Sequence, residues 1–324
     1  MMLSLVLLCC VLASVSAQCQ PGGNCQLPDC RCWFDEDIPG SLAPDETPQV
    51  VLVTFEDAVN EVNADMYKSL FTGTNPNGCP VRGTFFIKNL DTNYDIVRDL
   101  FDDGHEIGAN SLDGTYPTNE EDWRTVLQTI KAELADVGIA GNQVKGVRAP
   151  ELRAGGIDEF IGMGENDFDY DASCISSEFD QQSNLKWPYT YDFIPGPACN
   201  NGEPPNAPFP GKWQFLVASL NFNGSTCATP SACTNVFTQS DVFDLFFDSF
   251  AKHYDGDRSP FTLIINPDFV LVPYKLAGLQ EFLEYVRAAF QDTWILPMSK
   301  SKALDWIKDP TPNLNITTFQ PWSC

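Results

Sequence analysis

Short continuous apolar runs alternate with amphipathic segments along most of this chain. Val50-Val-Leu-Val-Thr-Phe55, Gly83-Thr-Phe-Phe-Ile87, Glu106-Ile-Gly108 and Val144-Lys-Gly-Val147 read as strands. Residues 63–70, 96–101 and 119–137 read as helices, the last with Trp123, Val126, Leu127, Ile130 and Leu134 at helical spacing. The rhythm loosens through Trp187-Pro-Tyr189 and a Pro-, Asn- and Gly-rich run at 195–212. It then resumes with strands at 213–220, 261–265 and 294–296 and helices at 241–254 and 276–290. Repeated strand–helix alternation implies a parallel sheet covered by helices. About seven such units predict one α/β barrel rather than two domains.

Residues 18–48 have no such pattern and are rich in Cys, Pro, Gly and acid. Ahead of them, Met1 to Ala13 is an apolar run short of a membrane span, followed by Ser14-Val-Ser-Ala17 and polar Gln18. This reads as a leader cut after Ala17, lacking the usual positive first segment. The expected organisation is therefore a leader at 1–17, a Cys-rich segment at 18–48, and a barrel with a C-terminal tail at 49–324. Of 12 cysteines, Cys9 and Cys10 fall in the leader and ten remain: Cys19, Cys25, Cys30, Cys32, Cys79, Cys174, Cys199, Cys227, Cys233 and Cys324. An even number in an exported chain predicts up to five disulfides, with the pairing open. Cys30-Arg-Cys32 is too closely spaced for a zinc pair and reads as bridging. Asn223-Gly-Ser225 and Asn315-Ile-Thr317 are acceptor sequons for surface glycans. No later stretch has membrane length and no anchor tail is expected at Cys324, so the expected destination is secretion without a membrane anchor.

Composition narrows the chemistry. Nineteen Lys and Arg against 44 Asp and Glu give a net charge of −25, which repels phosphate backbones and argues against nucleic acid as a partner. The chain has two histidines, His105 and His253, which restricts histidine-based catalysis or metal binding.

In a parallel α/β barrel, chemistry sits where strands end and loops begin. Those positions are Thr54-Phe-Glu-Asp57, Asn110-Ser-Leu-Asp-Gly114, Arg148-Ala-Pro150, Trp187-Pro-Tyr189 and Asn266-Pro-Asp268. Here the chain resembles the chitin deacetylases of arthropods, within the polysaccharide deacetylases of carbohydrate esterase family four. The likeness is carried by Thr54-Phe-Glu-Asp-Ala-Val-Asn60, Gly104-His-Glu-Ile107, Arg148-Ala-Pro-Glu-Leu-Arg153, Asp171-Ala-Ser173, Cys25-Gln-Leu-Pro-Asp-Cys30 and Pro321-Trp-Ser-Cys324. It implies a distorted (β/α)7 barrel with disulfide-stapled N-terminal segment and loops. It also implies removal of N-acetyl groups by a divalent metal, usually zinc, held by an Asp and a His-Ser-x-x-His pair. Such a metal polarises the acetyl carbonyl and acidifies bound water, with a neighbouring Asp as base and a late His as acid.

Carried over by resemblance, the base position holds Glu56 and the metal Asp is Asp57. Asn110 and Gly114 stand at the two metal histidines, and Asn266 at the acid. Arg148, the support of the base, is kept, as is Trp187 in the substrate-lining stretch. Trp187, Tyr189 and Trp213 are the aromatics expected against sugar rings, with barrel packing the rival reading for Trp213. His105 matches a structural histidine, and His253 is expected at the surface or capping a helix C-terminus as an imidazolium. An amide oxygen binds zinc poorly, so Asp57 and Asn110 form a weak or lost metal site and no cofactor is expected unless that site still works.

The favoured expectation is a secreted, catalytically inactive or impaired chitin deacetylase-like protein that binds chitin or a related N-acetylglucosamine polymer in an extracellular matrix or gut lining. One alternative is an active deacetylase with altered metal ligands. Another is an acidic matrix scaffold that binds calcium, for which Asp57, Asn110 and Asp113 offer oxygens.

Overall fold

β1 (Gln49–Asp57) is central to the architecture because both of its faces are covered. Val51, Val53 and Phe55 pack into the cluster that holds the helices, while Val50 and Leu52 join Phe86, Tyr170, Trp213 and Phe215 in a second cluster. A strand covered on both faces reads as an unbroken apolar run, which is the pattern of a parallel sheet. The computed structural model describes residues 19, 25–175, 186–194, 196, 198–217, 219–298 and 302–324. The expected leader at 1–17 lies outside the described residues.

After β1 come α1 (Ala64–Leu70), β2 (Thr84–Lys88), α2 (Tyr94–Asp102), β3 (Glu106–Ser111) and α3 (Glu120–Asp136). Asn93 and Asn119 cap α2 and α3 by accepting backbone N–H bonds in the first turn. Then follow β4 (Gly146–Val147), β5 (Ala154–Gly155), α4 (Gly156–Glu165), β6 (Tyr170–Asp171), β7 (Tyr189–Tyr191), β8 (Gly202–Glu203) and β9 (Phe209–Gln214). A hairpin of β10 (Leu220–Phe222) and β11 (Ser225–Cys227) leads to α5 (Gln239–Tyr254) and β12 (Phe261–Ile265). The chain finishes with α6 (Pro267–Val270), α7 (Pro273–Ala289), β13 (Thr293–Ile295) and α8 (Ala303–Lys308).

The main sheet runs β12-β1-β2-β3-β4-β6-β9-β7, with β13 also on β1. Its pairs are parallel except β7 on β9. This is the expected distorted α/β barrel, one strand of it reversed.

Local differences from the sequence reading have identifiable causes. The strand expected at 213–220 is two elements: β9 ends at Gln214, and β10 begins a separate hairpin. Asn223 and Gly224 turn that hairpin with φ of 50° and 78°, the paired positive values of a type I′ turn. Helix α4 escaped periodicity because Gly162 replaces an apolar side chain where α4 meets α3. A Cβ there would lie 3.2 Å from Trp123 Cβ.

The ten cysteines from Cys19 onward are all paired: Cys19–Cys30, Cys25–Cys32, Cys79–Cys324, Cys174–Cys199 and Cys227–Cys233. Two bridges staple the N-terminal segment, and one ties the approach to β2 to the chain end. The remaining two close loops at the mouth of the barrel. Among the described residues, no helix is long and apolar enough to cross a membrane.

Candidate active site and sugar cleft

The parallel strands deliver Glu56 and Asp57 from β1, Lys88 from β2, Asn110 and Ser111 from β3, and Asn266 just past β12 to one end of the barrel. Arg148 follows β4 and is fully buried. Its Nε donates to Ala172 O at 3.0 Å and Nη1 to Thr54 Oγ1 at 2.6 Å, and the guanidinium lies 4.3 Å from the Phe86 ring centre. Thr54 Oγ1 donates onward to Leu263 O at 2.7 Å. Arg148 therefore couples β1, β4, β6 and β12 through one charged group.

Glu56 sits beside this cation. Its Oε1 accepts from Asn266 Nδ2 at 3.0 Å, and its buried Oε2 has no hydrogen-bond partner. Burial pushes the Glu56 carboxyl above its ordinary range, against the opposing pull of Arg148 and the Asn266 amide. Glu56 thus has the Arg148 charge and the Asn266 amide beside it. Asn266 gives Glu56 an amide donor and has no titratable proton to deliver.

Asp57 adopts φ of 94° at the end of β1, a conformation that costs energy for a residue with a Cβ. Its Oδ1 accepts the Ala58 N–H at 2.7 Å and lies 2.5 Å from Lys88 Nζ. Asn110 is buried with both ends of its amide engaged. Nδ2 donates to Arg148 O at 2.9 Å, and Oδ1 accepts from Ser111 Oγ at 2.8 Å. Ser111 Oγ in turn accepts the Gly114 N–H at 3.1 Å. Gly114 has φ of 92°, and a Cβ built there would stand 3.9 Å from Lys88 Cδ.

These residues do not fit zinc. One carboxylate already faces an ammonium, one amide is spent on the backbone and Ser111, and the third position has no side chain. Zinc asks for imidazole, thiolate or carboxylate donors. Among the described residues, the only cluster of three potential ligands of those types is Cys19, Cys25 and Cys30, whose sulfurs are in disulfides.

Both histidines belong to the other end of the barrel. His105 precedes β3, accepts the Gly83 N–H at 3.1 Å and packs on Phe71 and Phe85. Burial lowers it to about 3. His253 corrects the expectation of a surface imidazolium. It is buried, its Nδ1 lies 3.0 Å from Ser259 O just before β12, and burial lowers it to about 4. A neutral ring inside α5 serves packing, and the helix dipole has no charge there to stabilise.

A cleft of about 560 Å³ opens over Glu56 and Asn266, walled by Glu151, Leu152, Ile175, Asn200, Asn201, the 228–232 loop and Asp268. Cys174–Cys199 and Cys227–Cys233 hold its walls, which regular secondary structure largely leaves free. The aromatics expected to face sugars do not line it. Trp187 is 3% exposed, stacks on Trp306 at 5.6 Å and donates to Asp257 O. Tyr189 is buried, with its hydroxyl on Tyr191, and Trp213 is buried on β9. All three are core: Trp187, just ahead of β7, and Trp213 on β9 pack into one buried cluster, and Tyr189 on β7 packs into the other. Sequence reasoning missed Glu151, Asn200 and Asn201. The only signal for the two asparagines was their place in the Pro-, Asn- and Gly-rich run. Asn223 and Asn315 are exposed, as attachment of a glycan requires.

No family model matches the chain. It is 30% identical over 327 residues to chitin deacetylase 1 of Bombyx mori, covering 92% of this chain and 58% of that relative. It is 28% identical over 302 residues to chitin deacetylase 8 of the same organism, covering 89% and 77% respectively. In fold it is similar to a solved Mycobacterium smegmatis protein described as a polysaccharide deacetylase, with a TM-score of 0.51 and 19% identity over 78% of this chain and 88% of that one. The chain thus spans 58% of the length of the first of these relatives.

Proposed function

We propose that this chain, similar in sequence to chitin deacetylases of Bombyx mori and in fold to a polysaccharide deacetylase, is a secreted, catalytically inactive or impaired member of that family that binds chitin or a related N-acetylglucosamine polymer in its cleft. The observation that carries this reading is the engaged amide of Asn110, bonded to Arg148 O and Ser111 Oγ at the position where the resemblance calls for a metal ligand. With Gly114 and Asn266 at the other two positions, the site has neither a chelating imidazole nor a proton donor for the leaving amine. Loss of general acid catalysis alone forfeits a factor of about 10²–10⁴, and loss of a Lewis acid removes several kcal/mol more.

The scaffold for a ligand persists. Glu56 is fixed by Asn266, Arg148 holds the strands beneath it, and two disulfides set the cleft walls. Five disulfides and two exposed sequon asparagines suit an oxidising, extracellular setting.

The test is acetate release from chitin oligomers by the folded, purified protein with added zinc, cobalt or calcium, against Asp57→Ala. The expected result is no release above that control with any of the metals. Release that Asp57→Ala abolishes refutes the inactive reading.

A further inference from the structure

A second pocket, of about 370 Å³, lies at the end of the barrel away from Glu56. Its floor includes Asp292 and Trp294 at the entry to β13, where Thr293 pairs with Gln49 at the start of β1. The C-terminal segment supplies Asn313, Ile316 and Thr317 to one side, and Pro76 stands on another. Cys79–Cys324 ties together the segments that carry these two walls. None of these residues lines the cleft over Glu56.

Two lining residues carry a buried polar atom with no hydrogen-bond partner: Trp294 Nε1, a donor, and Asn313 Oδ1, an acceptor. Trp294 is fully buried. Asn313 Nδ2 donates to Asp45 O at 3.1 Å and its backbone N–H to Glu46 O at 2.7 Å, which fixes the amide with its oxygen left over. A buried polar atom left unpaired is costly, so such atoms normally meet protein, water or a ligand. The only charged lining residue, Asp292, is already balanced. It accepts from the Tyr254 hydroxyl at 2.9 Å and pairs with Arg258 Nη1 at 2.9 Å. A pocket without free charge suits neither an anion nor a cation. With Phe290 and Ile316 beside one donor and one acceptor, it suits a neutral ligand that has an apolar face.

We propose that this pocket is a second carbohydrate site that takes an N-acetylglucosamine unit, its acetamido oxygen on Trp294 Nε1 and its acetamido N–H on Asn313 Oδ1. A secondary amide offers its acceptor and its donor from two different atoms, so it serves both walls at once while the sugar ring covers Phe290 and Ile316. The volume of about 370 Å³ is near the lower end of ligand pockets, ~300–1,000 Å³, which suits one or two sugar units rather than a long segment. Two sources share this chemistry. One is the end of a chitin chain, and the other is the first sugar of a glycan on Asn315, whose sequon contributes Ile316 and Thr317 to the lining.

The experiment follows the indole N–H signals of the full chain, labelled at its seven tryptophans, during titration with the fully acetylated glucosamine dimer and hexamer. The signal missing from Trp294→Phe identifies the Trp294 indole. That signal should shift saturably, and cellobiose, which lacks the acetamido group, should need at least about tenfold more for the same shift. Ala289→Phe, which fills the pocket from an exposed lining position, should abolish the shift and leave the other indole signals in place. No tryptophan lines the Glu56 cleft, so binding there, or its failure, is read separately. A shift in Asn315→Gln that is absent from the glycosylated wild type makes the chain's own glycan the occupant, and an equal shift in both assigns the pocket to a free chain end. No shift in either with up to about 10 mM dimer means that the pocket holds water only and overturns the proposal. So does an equal response to cellobiose, or a shift that survives in folded Ala289→Phe.

Discussion

Acid should destabilise this protein through its two histidines, and the size of the effect follows from their surroundings. His105 and His253 are both buried, lowered to about 3 and about 4 respectively, each with a ring nitrogen already in a hydrogen bond. The unfolded chain protonates its imidazoles near 6.5. Between those values the unfolded state binds more protons than the native state, so stability falls as pH falls. The contribution is intact above the unfolded value and is lost progressively below it. From pH 7 to pH 5 each histidine should cost about 2 kcal/mol, or about 4 together. The figure depends little on the native values so long as both stay well below 5.

Glu56, Glu159 and Asp171, raised by burial, act in the opposite direction, because their strain is relieved as they take up protons. The assay must therefore be a difference. Urea unfolding at pH 7, 6 and 5 would be compared between the wild type and His105→Asn, which keeps an acceptor for the Gly83 N–H, and His253→Gln. Each substitution should flatten the pH dependence by about 2 kcal/mol over that range. A pH dependence unchanged by either substitution would mean that the imidazoles titrate in the fold as they do in the unfolded chain. They would then again be candidates for chemistry.

Two further outcomes test the placement of particular groups. Trp187→Ala should cost about 3–5 kcal/mol of stability, since it removes a buried ring stacked on Trp306. At a temperature where the variant remains folded, its affinity for acetylated hexamer should stay within about twofold of wild type (under about 0.5 kcal/mol), and a selective loss of affinity would return Trp187 to the sugar site. Replacing Cys79 and Cys324 together by Ser opens a cross-link spanning 245 positions. In the chain-entropy model this costs about 5 kcal/mol, read as a lower guanidinium midpoint and earlier proteolytic release of the C-terminal segment.

The barrel was legible because its strands and helices obey simple periodicities. The five apolar positions named on α3 are the five it buries, and the run at 261–265 is β12 without a shift. Legibility failed where close packing replaced pattern. Gly162 hid α4, and Asn223-Gly224 read as part of a glycan acceptor sequon, although the pair also suits the type I′ turn it forms. At the site, the residues at strand ends were legible from position. Their partners were not, because Asn110 to Arg148 O, Asn266 to Glu56 and Lys88 to Asp57 join separate strands. The three aromatics were misplaced for a related reason. An aromatic in or beside a loop-rich stretch looks the same in sequence whether it faces a cleft or packs into the core, as Trp187 does on Trp306.

The retained and replaced residues of the site follow one physical rule. Arg148 is fully buried and gives its Nε and Nη1 to Ala172 O and Thr54 Oγ1, so those two groups serve the fold whether or not chemistry occurs. Removing it would strip Glu56 of its cation and break a bond between strands. Asp57 is half-exposed and held at a positive φ, and its carboxylate needs a counter-charge in any case, which Lys88 provides. The imidazole positions carry no such structural demand. Asn110 and Gly114 instead build a turn around Ser111, whose hydroxyl bonds both. On the proposed reading, the groups that balance charge in the barrel are the ones that match the resembled family, and the positions it uses for chelation and proton delivery hold groups that close local hydrogen bonds. On that same reading, a site with its charges balanced by its own side chains holds a polar ligand without metal and does not hydrolyse it.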